Sequence, residues 1–299
     1  MVDVVVVNHN SEAELVRCLD ALEKAQRRSG EIASVTVRDN GSKQPPEKNS
    51  DSSFSFRLVI GKNIGYGAAC NECAAMGHAP FLLFLNPDVE IPPAGIEAPQ
   101  NVLRQYPDAG MLGISLLNRD GSVQPAKMRF PTAKQLILRS LGAGKLFPKR
   151  FRPYFEKEQL KSGRAQWVLG AYLMVRREAF EAVDGFDRKF FLYFEEVDLA
   201  RRMEQAGWHC RYLADLHALH RGGGSETVRA FCVRQHVKSR ILYAKRYFSR
   251  KETRRLWLSA VFLEPFCRAA QAIFQGTNPI TAFFAPVIGA AGALKERET

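Results

Sequence analysis

The first hundred residues alternate short, fully apolar runs with amphipathic ones. VDVVVV at 2–7 has the continuous apolar character of a strand buried on both faces. After the loop NHNS, residues 12–26 carry Leu15, Cys18, Leu19 and Leu22 at helical spacing. Residues 32–37 and 56–60 read as strands, the first ending in RDNGS. The glycine-punctuated loop GKNIGYG leads into a helix over 68–76. PFLLFL is another apolar strand and stops at Asn86-Pro87-Asp88; a helix over 93–106 and a strand over 111–117 follow. Single helices between short apolar strands predict βαβ units and a mainly parallel, Rossmann-like α/β sheet. The loops at the strand ends carry Asn8, Asn10, Asp39, Asn40, Asn63 and Asp88, so ligand-capable groups collect along one sheet edge.

Beyond residue 117 the pattern loosens. DGSVQPAKMRFP reads as a hairpin, and 134–164 is basic without a clear period, either a substrate-facing excursion or a surface loop. A strand over 167–175, short helices over 177–183 and 197–205, and a strand over 208–213 complete a first domain, 1–227. Residues 229–255 hold ten lysines and arginines against Glu252 alone, with Phe231, Val237, Ile241, Leu242 and Tyr247 between them. This reads as a basic amphipathic helix of the type that lies on anionic membranes, within a helical appendage over 228–299.

The 299 residues suffice for one large domain and an appendage. A net charge of +12 implies an anionic partner: nucleic acid, an acidic membrane or phosphorylated small molecules. The positive residues concentrate at 127–164 and 229–255 while the strand-end motifs are acidic, which argues against nucleic acid in the cleft. Six scattered cysteines fit a reducing compartment, and the lone Cys70-x-x-Cys73 sits where a helix face is expected. The opening MVDVVVVNHN does not read as a signal peptide, and 269–294, broken by Pro279 and Pro286, suits a surface-lying hairpin better than a crossing.

The chemistry-bearing candidates stand at loops. NHNS and the glycines after Ile60 match no dinucleotide fingerprint, and no P-loop lysine is present. Asn86-Pro87-Asp88 is either ordinary turn chemistry or a carboxylate at a strand tip within reach of a phosphate-bridging cation. His220, before a GGGS run, is a surface residue or a partner to Asp88 around Mg²⁺ or Mn²⁺. In FFLYFEEVDLARR, Glu195 and Asp198 are three apart and share a helix face, while Glu196 points elsewhere. These acids either cap a helix or line a pocket walled by the aromatic run.

The ordered series VVVNHNSEAELVRCLDAL (5–22), VTVRDNGS (35–42), KNIGYGAACNECA (62–74), FLLFLNPDVEI (81–91), the run from Gly170 to Arg202 and HRGGGS (220–225) resembles family 2 inverting glycosyltransferases of the GT-A fold. Within that family it is most similar to bacterial rhamnosyltransferases of surface-polysaccharide and O-antigen assembly. The resemblance implies that Asp39 holds the donor base, with Asn8, Asn10, Asn63 and Gly65 lining the nucleotide cleft. Asp88 would be the surviving aspartate of the family's metal-binding D-x-D, with Asn86 in its first position and His220 completing the metal site. Glu196 would take the base position of the family's E-D-x-D pattern, with Glu195 beside it. Asp198 and Arg202 would support the pocket, and Trp167 and Gly170-Ala171 would flank the sugar. The implied partners are a nucleotide-diphosphate sugar, a polyprenyl-diphosphate-linked saccharide and an anionic membrane, with a homo-oligomer open. The implied location is the cytoplasmic face of the inner membrane, peripheral or partly soluble. A sugar nucleotidyltransferase would want a basic, glycine-rich loop where NHNSEAEL stands.

Overall fold

The computed structural model describes residues 1–47, 52–142, 159–222 and 226–295. The chain forms two compact units: Met1–Arg129 with Phe155–Arg188 and Glu196–Gly222, and Phe130–Tyr154 with Lys189–Glu195 and Gly223–Thr299.

The first unit is built on a ten-stranded mixed sheet. Its strands are β1 (Val2–Asn8), β2 (Ile32–Asn40), β3 (Ser55–Gly61), β4 (Phe81–Leu85), β5 (Val89–Glu90), β6 (Ala109–Leu117), β7 (Val123–Gln124), β9 (Gly163–Ala165), β11 (Tyr172–Arg176) and β12 (His209–His220). The order β3-β2-β1-β4-β11-β6-β12-β5 is parallel from β3 to β4 and again between β6 and β12. β11, inserted between β4 and β6, runs against both of those neighbours, and the short strands β5, β7 and β9 also pair antiparallel. Every residue of β1 and β4 is buried, as their unbroken apolar runs predict. Helix Glu12–Ser29 buries Leu15, Cys18, Leu19, Leu22 and Ala25, and ends at Gly30 in the left-handed conformation. Cys70 and Cys73 are buried on helix Tyr66–Ala74, as packing residues of that face. At the opposite end of the sheet from the candidate residues, Asp3 accepts from Ser34 Oγ (2.6 Å), Ala79 N (2.7 Å) and Arg177 (2.8 Å), tying four segments together.

Three expectations change. The stretch 167–175 is two strands: β10 (Trp167–Val168) pairs with β8 (Lys127–Met128) in a separate two-stranded sheet, and β11 starts after a break at Gly170. The 120–131 segment does not pair with itself: its Asp120-Gly121 turn closes an antiparallel β6–β7 hairpin, and β8 pairs with β10. The last strand extends to His220, with a bulge between Leu213 and His217 that hides its period.

The second unit is helical: Ala133–Ser140, Glu226–Tyr247, Arg250–Phe262, Glu264–Phe274 and Pro279–Lys295. The 133–140 helix lies inside the stretch read as aperiodic, opened by a Thr132–Gln135 capping box. Residues 143–158 of that stretch, and 223–225 of the GGGS run, lie outside the described residues. Val237, Ile241, Ala260, Ala290 and Ala293 form the unit's core. The small residues permit close crossing: a Cβ on Gly289 would come 2.5 Å from Arg234 O. Contrary to the surface-lying reading, helix 226–247 has no exposed residue between 232 and 245. It is the unit's central helix, and its Arg240 is 1% exposed. Exposed apolar residues lie later instead, Phe262, Phe266, Phe274 and Phe284 among them. Among the described residues no helix is long and apolar enough to cross a membrane.

Candidate functional site

The parallel pairing puts the C-terminal ends of β1, β2, β4 and β12 on one edge of the first unit's sheet. Because β11 runs the other way, its N-terminal end, with Gly170 and Ala171, reaches the same edge. Open α/β sheets bind ligands at this edge.

Asn8 and Asp39 are in register at the ends of β1 and β2, and both are fully buried. Asn8 Nδ2 donates to Asp39 Oδ1 (3.1 Å) and Ser42 Oγ (3.2 Å), and Ser42 N–H donates to Asp39 Oδ2 (3.1 Å). Asn8 Oδ1 is buried without a hydrogen-bond partner among the described residues, an acceptor left open for a ligand donor. Asn10, at φ 53°, donates its N–H to Ser42 Oγ and accepts from Lys43 N–H. Next to them Asn40 Nδ2 donates to Asn63 Oδ1 (3.0 Å) and Gly65 O (3.3 Å), and Gly65 N–H donates to Asn63 Oδ1 (3.0 Å). Gly65 has φ 90° and ψ 163°, a region open only to glycine, and it starts helix 66–74.

Asn86 N–H donates to Ala171 O (2.9 Å), fixing the turn that carries Asp88. Asp88 Oδ2 lies 3.4 Å from His220 Nε2. Gln124 Nε2 donates to Asn118 Oδ1 (2.7 Å) and His220 O (3.0 Å), so its Oε1 is the acceptor facing His220 Nδ1 at 2.7 Å. Nδ1 therefore carries a proton, and Nε2 is the ring atom that faces the Asp88 carboxylate. Two electron-rich atoms at that distance call for a proton or a cation between them. Burial pushes the Asp88 carboxyl up, but the hydrogen bond and charge of His220 and the backbone N–H groups of Asp88 and Gly222 outweigh it, leaving it below the usual range. Among the described residues no three His, Cys, Asp or Glu side chains converge on a metal-sized point. Asp88 and His220 thus fit a cation that takes its other ligands from phosphates and water, the usual situation for Mg²⁺.

The helix Glu195–Gln205 follows two aromatic residues, Tyr193 and Phe194, both at φ 69°. Consecutive left-handed aromatics are strained, and they set the direction in which the first helical residues point. Glu196 stacks over Gly170, where a Cβ would stand 3.4 Å from Glu196 Cβ. Its Oε2 is buried with no hydrogen-bond partner among the described residues. Burial raises the Glu196 carboxyl to about 7, with the backbone N–H groups of Glu196 and Val197 offsetting part of the effect. Asp198 is wholly buried and accepts from Arg202 Nε at 2.7 Å, while Arg202 Nη1 donates to Val183 O. Glu195 is buried at the start of the helix. Trp167 is buried, its indole N–H donating to Arg129 O (2.9 Å).

The sheet edge thus gathers Asn8, Asn10, Asp39 and Ser42 into one hydrogen-bonded group, Asn40, Asn63 and Gly65 into a second, and Asp88 with His220 into a third. Sequence reasoning missed Ser42, although it stands in RDNGS, and Gln124, which lies in no motif. It also missed Arg38, buried beside Asp39 with its Nε on Glu72 (3.0 Å) and Nη1 on Asp39 O.

Residues 3–184 match the profile described as "Glycosyl transferase family 2", and residues 155–293 match "Glycosyl transferase family group 2". An N-acetylglucosaminyl-diphospho-decaprenol L-rhamnosyltransferase of Mycobacterium tuberculosis (strain CDC 1551 / Oshkosh) is 33% identical over 235 residues, 73% of this chain and 75% of the relative. Rhamnosyltransferase WbbL of Escherichia coli (strain K12) is 27% identical over 283 residues, 88% and 99% of the two chains. Mannosyltransferase PcManGT from Pyrobaculum calidifontis, solved with GDP-Man and Mn²⁺, superposes with TM-score 0.54 at 14% identity, covering 99% of this chain and 88% of that one. The crystal structure of S. aureus TarS 1–349 gives 0.52 at 12%, covering 98% and 88%. These two likenesses concern the fold, and it is the fold described above. With the profile spanning more than half of its length and the mycobacterial relative at one-third identity, the chain belongs to glycosyl transferase family 2 and is a glycosyltransferase.

Proposed function

We propose that the protein moves a sugar, L-rhamnose from dTDP-rhamnose in the preferred reading, onto a hydroxyl of a saccharide carried on a polyprenyl diphosphate, with inversion at the anomeric carbon. The observation that carries this is Glu196: a carboxylate with an open, buried oxygen and its ionisation moved to about 7, at the sheet edge where a nucleotide would lie. The mycobacterial relative's name specifies a rhamnosyl group and a diphospho-decaprenol-linked sugar, which supports the choice of donor and acceptor class.

In this reading Glu196 Oε2 accepts the proton of the acceptor hydroxyl as that oxygen bonds to the anomeric carbon. The bond from that carbon to the donor phosphate breaks on the opposite face, and the nucleoside diphosphate leaves with the electron pair. One displacement inverts the centre, and no enzyme nucleophile is needed. A base matched to neutral pH contributes about 10²–10⁴-fold. Asp88 and His220 would hold Mg²⁺ or Mn²⁺, which would neutralise charge on the leaving phosphates. Asn8, Asn10, Asp39, Asn63, Gly65 and Asn86 line the nucleotide's place, and Trp167 flanks the sugar. Asp198 and Arg202 position the helix that carries Glu196, and Glu195 is the alternative base. The +12 charge and the exposed phenylalanines of the helical unit support peripheral attachment to an anionic membrane, at its cytoplasmic face.

The test is transfer from dTDP-rhamnose to a synthetic N-acetylglucosaminyl-diphospho-lipid, with the product's anomeric configuration read by NMR. Inverted product from the wild type, lost in Glu196→Gln and kept in Glu195→Gln, supports the reading. Retained configuration, or an active Glu196→Gln enzyme, contradicts it.

A further inference from the structure

The helical unit contains a cavity of about 330 Å³ that the transfer chemistry does not use. Its wall carries three guanidinium groups, Arg139, Arg240 and Arg268, and no carboxylate. Glu264, fully buried, accepts from Arg240 through Oε2 (2.6 Å) and from Arg268 through Oε1 (2.7 Å). One carboxylate shared between two arginines leaves the group net positive. Arg240 is only 1% exposed, yet its Nε has no hydrogen-bond partner among the described residues. A buried, charged donor without an acceptor is costly unless a ligand supplies one. His236, in the same wall, is held well below its ordinary range by loss of water and then by the charges of Arg240, Arg139 and Arg268. The cavity is therefore an electropositive seat in which even a histidine resists adding charge.

A second cleft, about 450 Å³, adjoins it and shares Val233 and Arg268. Its lining surface is mostly apolar, with Val233, Ala272, Ala282 and Ala285, and also carries the side chains of Gln271, Gln275 and Asn278. Ile273 and Phe274, on the helix that supplies Ala272, are 66% and 91% exposed. An anion seat opening onto a mostly apolar cleft beside exposed apolar side chains matches a molecule with a phosphate head and a hydrocarbon tail. Arginine is the side chain best shaped for phosphate oxygens. Tyr193, also in the cavity wall, precedes Glu196 by three residues in the chain.

We propose that the arginine-lined cavity binds the diphosphate of the polyprenyl-diphosphate-linked acceptor, and that the adjoining cleft takes the first isoprene units. The assignment rests on the lipid-linked acceptor of the preceding section and gives that acceptor's head group a site of its own.

The test is calorimetric titration of the full chain with farnesyl diphosphate and, separately, inorganic pyrophosphate, with dTDP-rhamnose plus Mn²⁺ as a reference ligand. Arg139→Gln and Arg268→Gln are compared with the wild type after their thermal unfolding has been checked. Arg139 stands in the last turn of its helix, where glutamine keeps a polar side chain of comparable helix propensity. Farnesyl diphosphate is expected to bind more tightly than pyrophosphate, and each substitution to weaken it by about ten-fold or more, the worth of one charged hydrogen bond. Binding of dTDP-rhamnose is expected to stay unchanged in both variants. Equal affinity for the two diphosphates, wild-type affinity in both variants, or no farnesyl diphosphate binding by folded protein would overturn the assignment. Farnesyl diphosphate binding lost in the variants, alongside a wild type that ignores every nucleotide-sugar, would support this site while sinking the donor reading.

Discussion

Glu196 combines two properties that rarely coincide on a structural carboxylate: a buried oxygen without a partner and an ionisation moved up to about 7 by burial. Transfer should therefore rise with pH through about 7, as the base loses its proton, and the Glu196→Gln enzyme should lack that limb. Stability carries the opposite sign. A carboxyl raised in the folded state opposes folding once the pH exceeds its unfolded value, because the unfolded chain ionises more readily. The melting temperature of Glu196→Gln should exceed that of the wild type at pH 8 and equal it at pH 4; equal melting temperatures at both would refute the buried ionisation. Gln124 provides a second residue-scale prediction. It pins the His220 tautomer, so Gln124→Leu should weaken Mn²⁺-dependent nucleotide-sugar binding about 10–100-fold, the usual cost of losing such an outer partner. Unchanged Mn²⁺ dependence in that variant would remove His220 from the metal site.

At the scale of elements, the strands with unbroken apolar runs, β1 and β4, were legible because burial on both faces leaves no polar position to confuse the period. So was helix 12–29, with its regular leucines. The two-residue strands β8 and β10 were not, since two residues carry no period, and the bulge in β12 broke its alternation. The helix at 133–140 was readable from its Thr132–Gln135 cap, but the surrounding basic residues masked it. For the site, motif resemblance brought out Asp39, Asp88, Glu196 and His220. Gln124 stayed hidden because its importance lies in a contact 96 residues away in the chain. Gly65 is where element geometry can be tested. Gly65→Ala forces a Cβ into a glycine-only region, at a cost of about 1–3 kcal/mol, and should weaken nucleotide-sugar binding as well. Wild-type stability and binding in this variant would show that the turn relaxes without consequence.

For the molecule as a whole, the division of labour between the two units sets the expectations. The sheet unit gathers polar groups at one edge, whereas the helical unit holds buried charge and exposes apolar surface. Glu264 is the carboxylate that Arg240 and Arg268 share, so Glu264→Ala should destabilise that unit by about 3–5 kcal/mol in urea unfolding, the cost of stranding a buried charge. A loss below about 1 kcal/mol would mean that water or relaxation satisfies the arginines. Reading residues 229–255 as a surface helix failed over 232–245, because charge along a sequence does not reveal which side a neighbouring helix covers. Here Arg240 turns inward, while Arg246, Arg250, Arg254 and Arg255 stay exposed.

The central claim is a metal-assisted nucleotide-sugar site at the edge of the sheet. It is tested most directly by titrating dTDP-, UDP- and GDP-sugars into the folded protein with and without Mn²⁺, in the wild type and in His220→Ala. The account predicts that one nucleotide-sugar, dTDP-rhamnose in the preferred reading, binds the wild type with Mn²⁺ and that His220→Ala abolishes the metal's contribution. Binding that ignores both Mn²⁺ and His220, or no binding by folded protein, would contradict it.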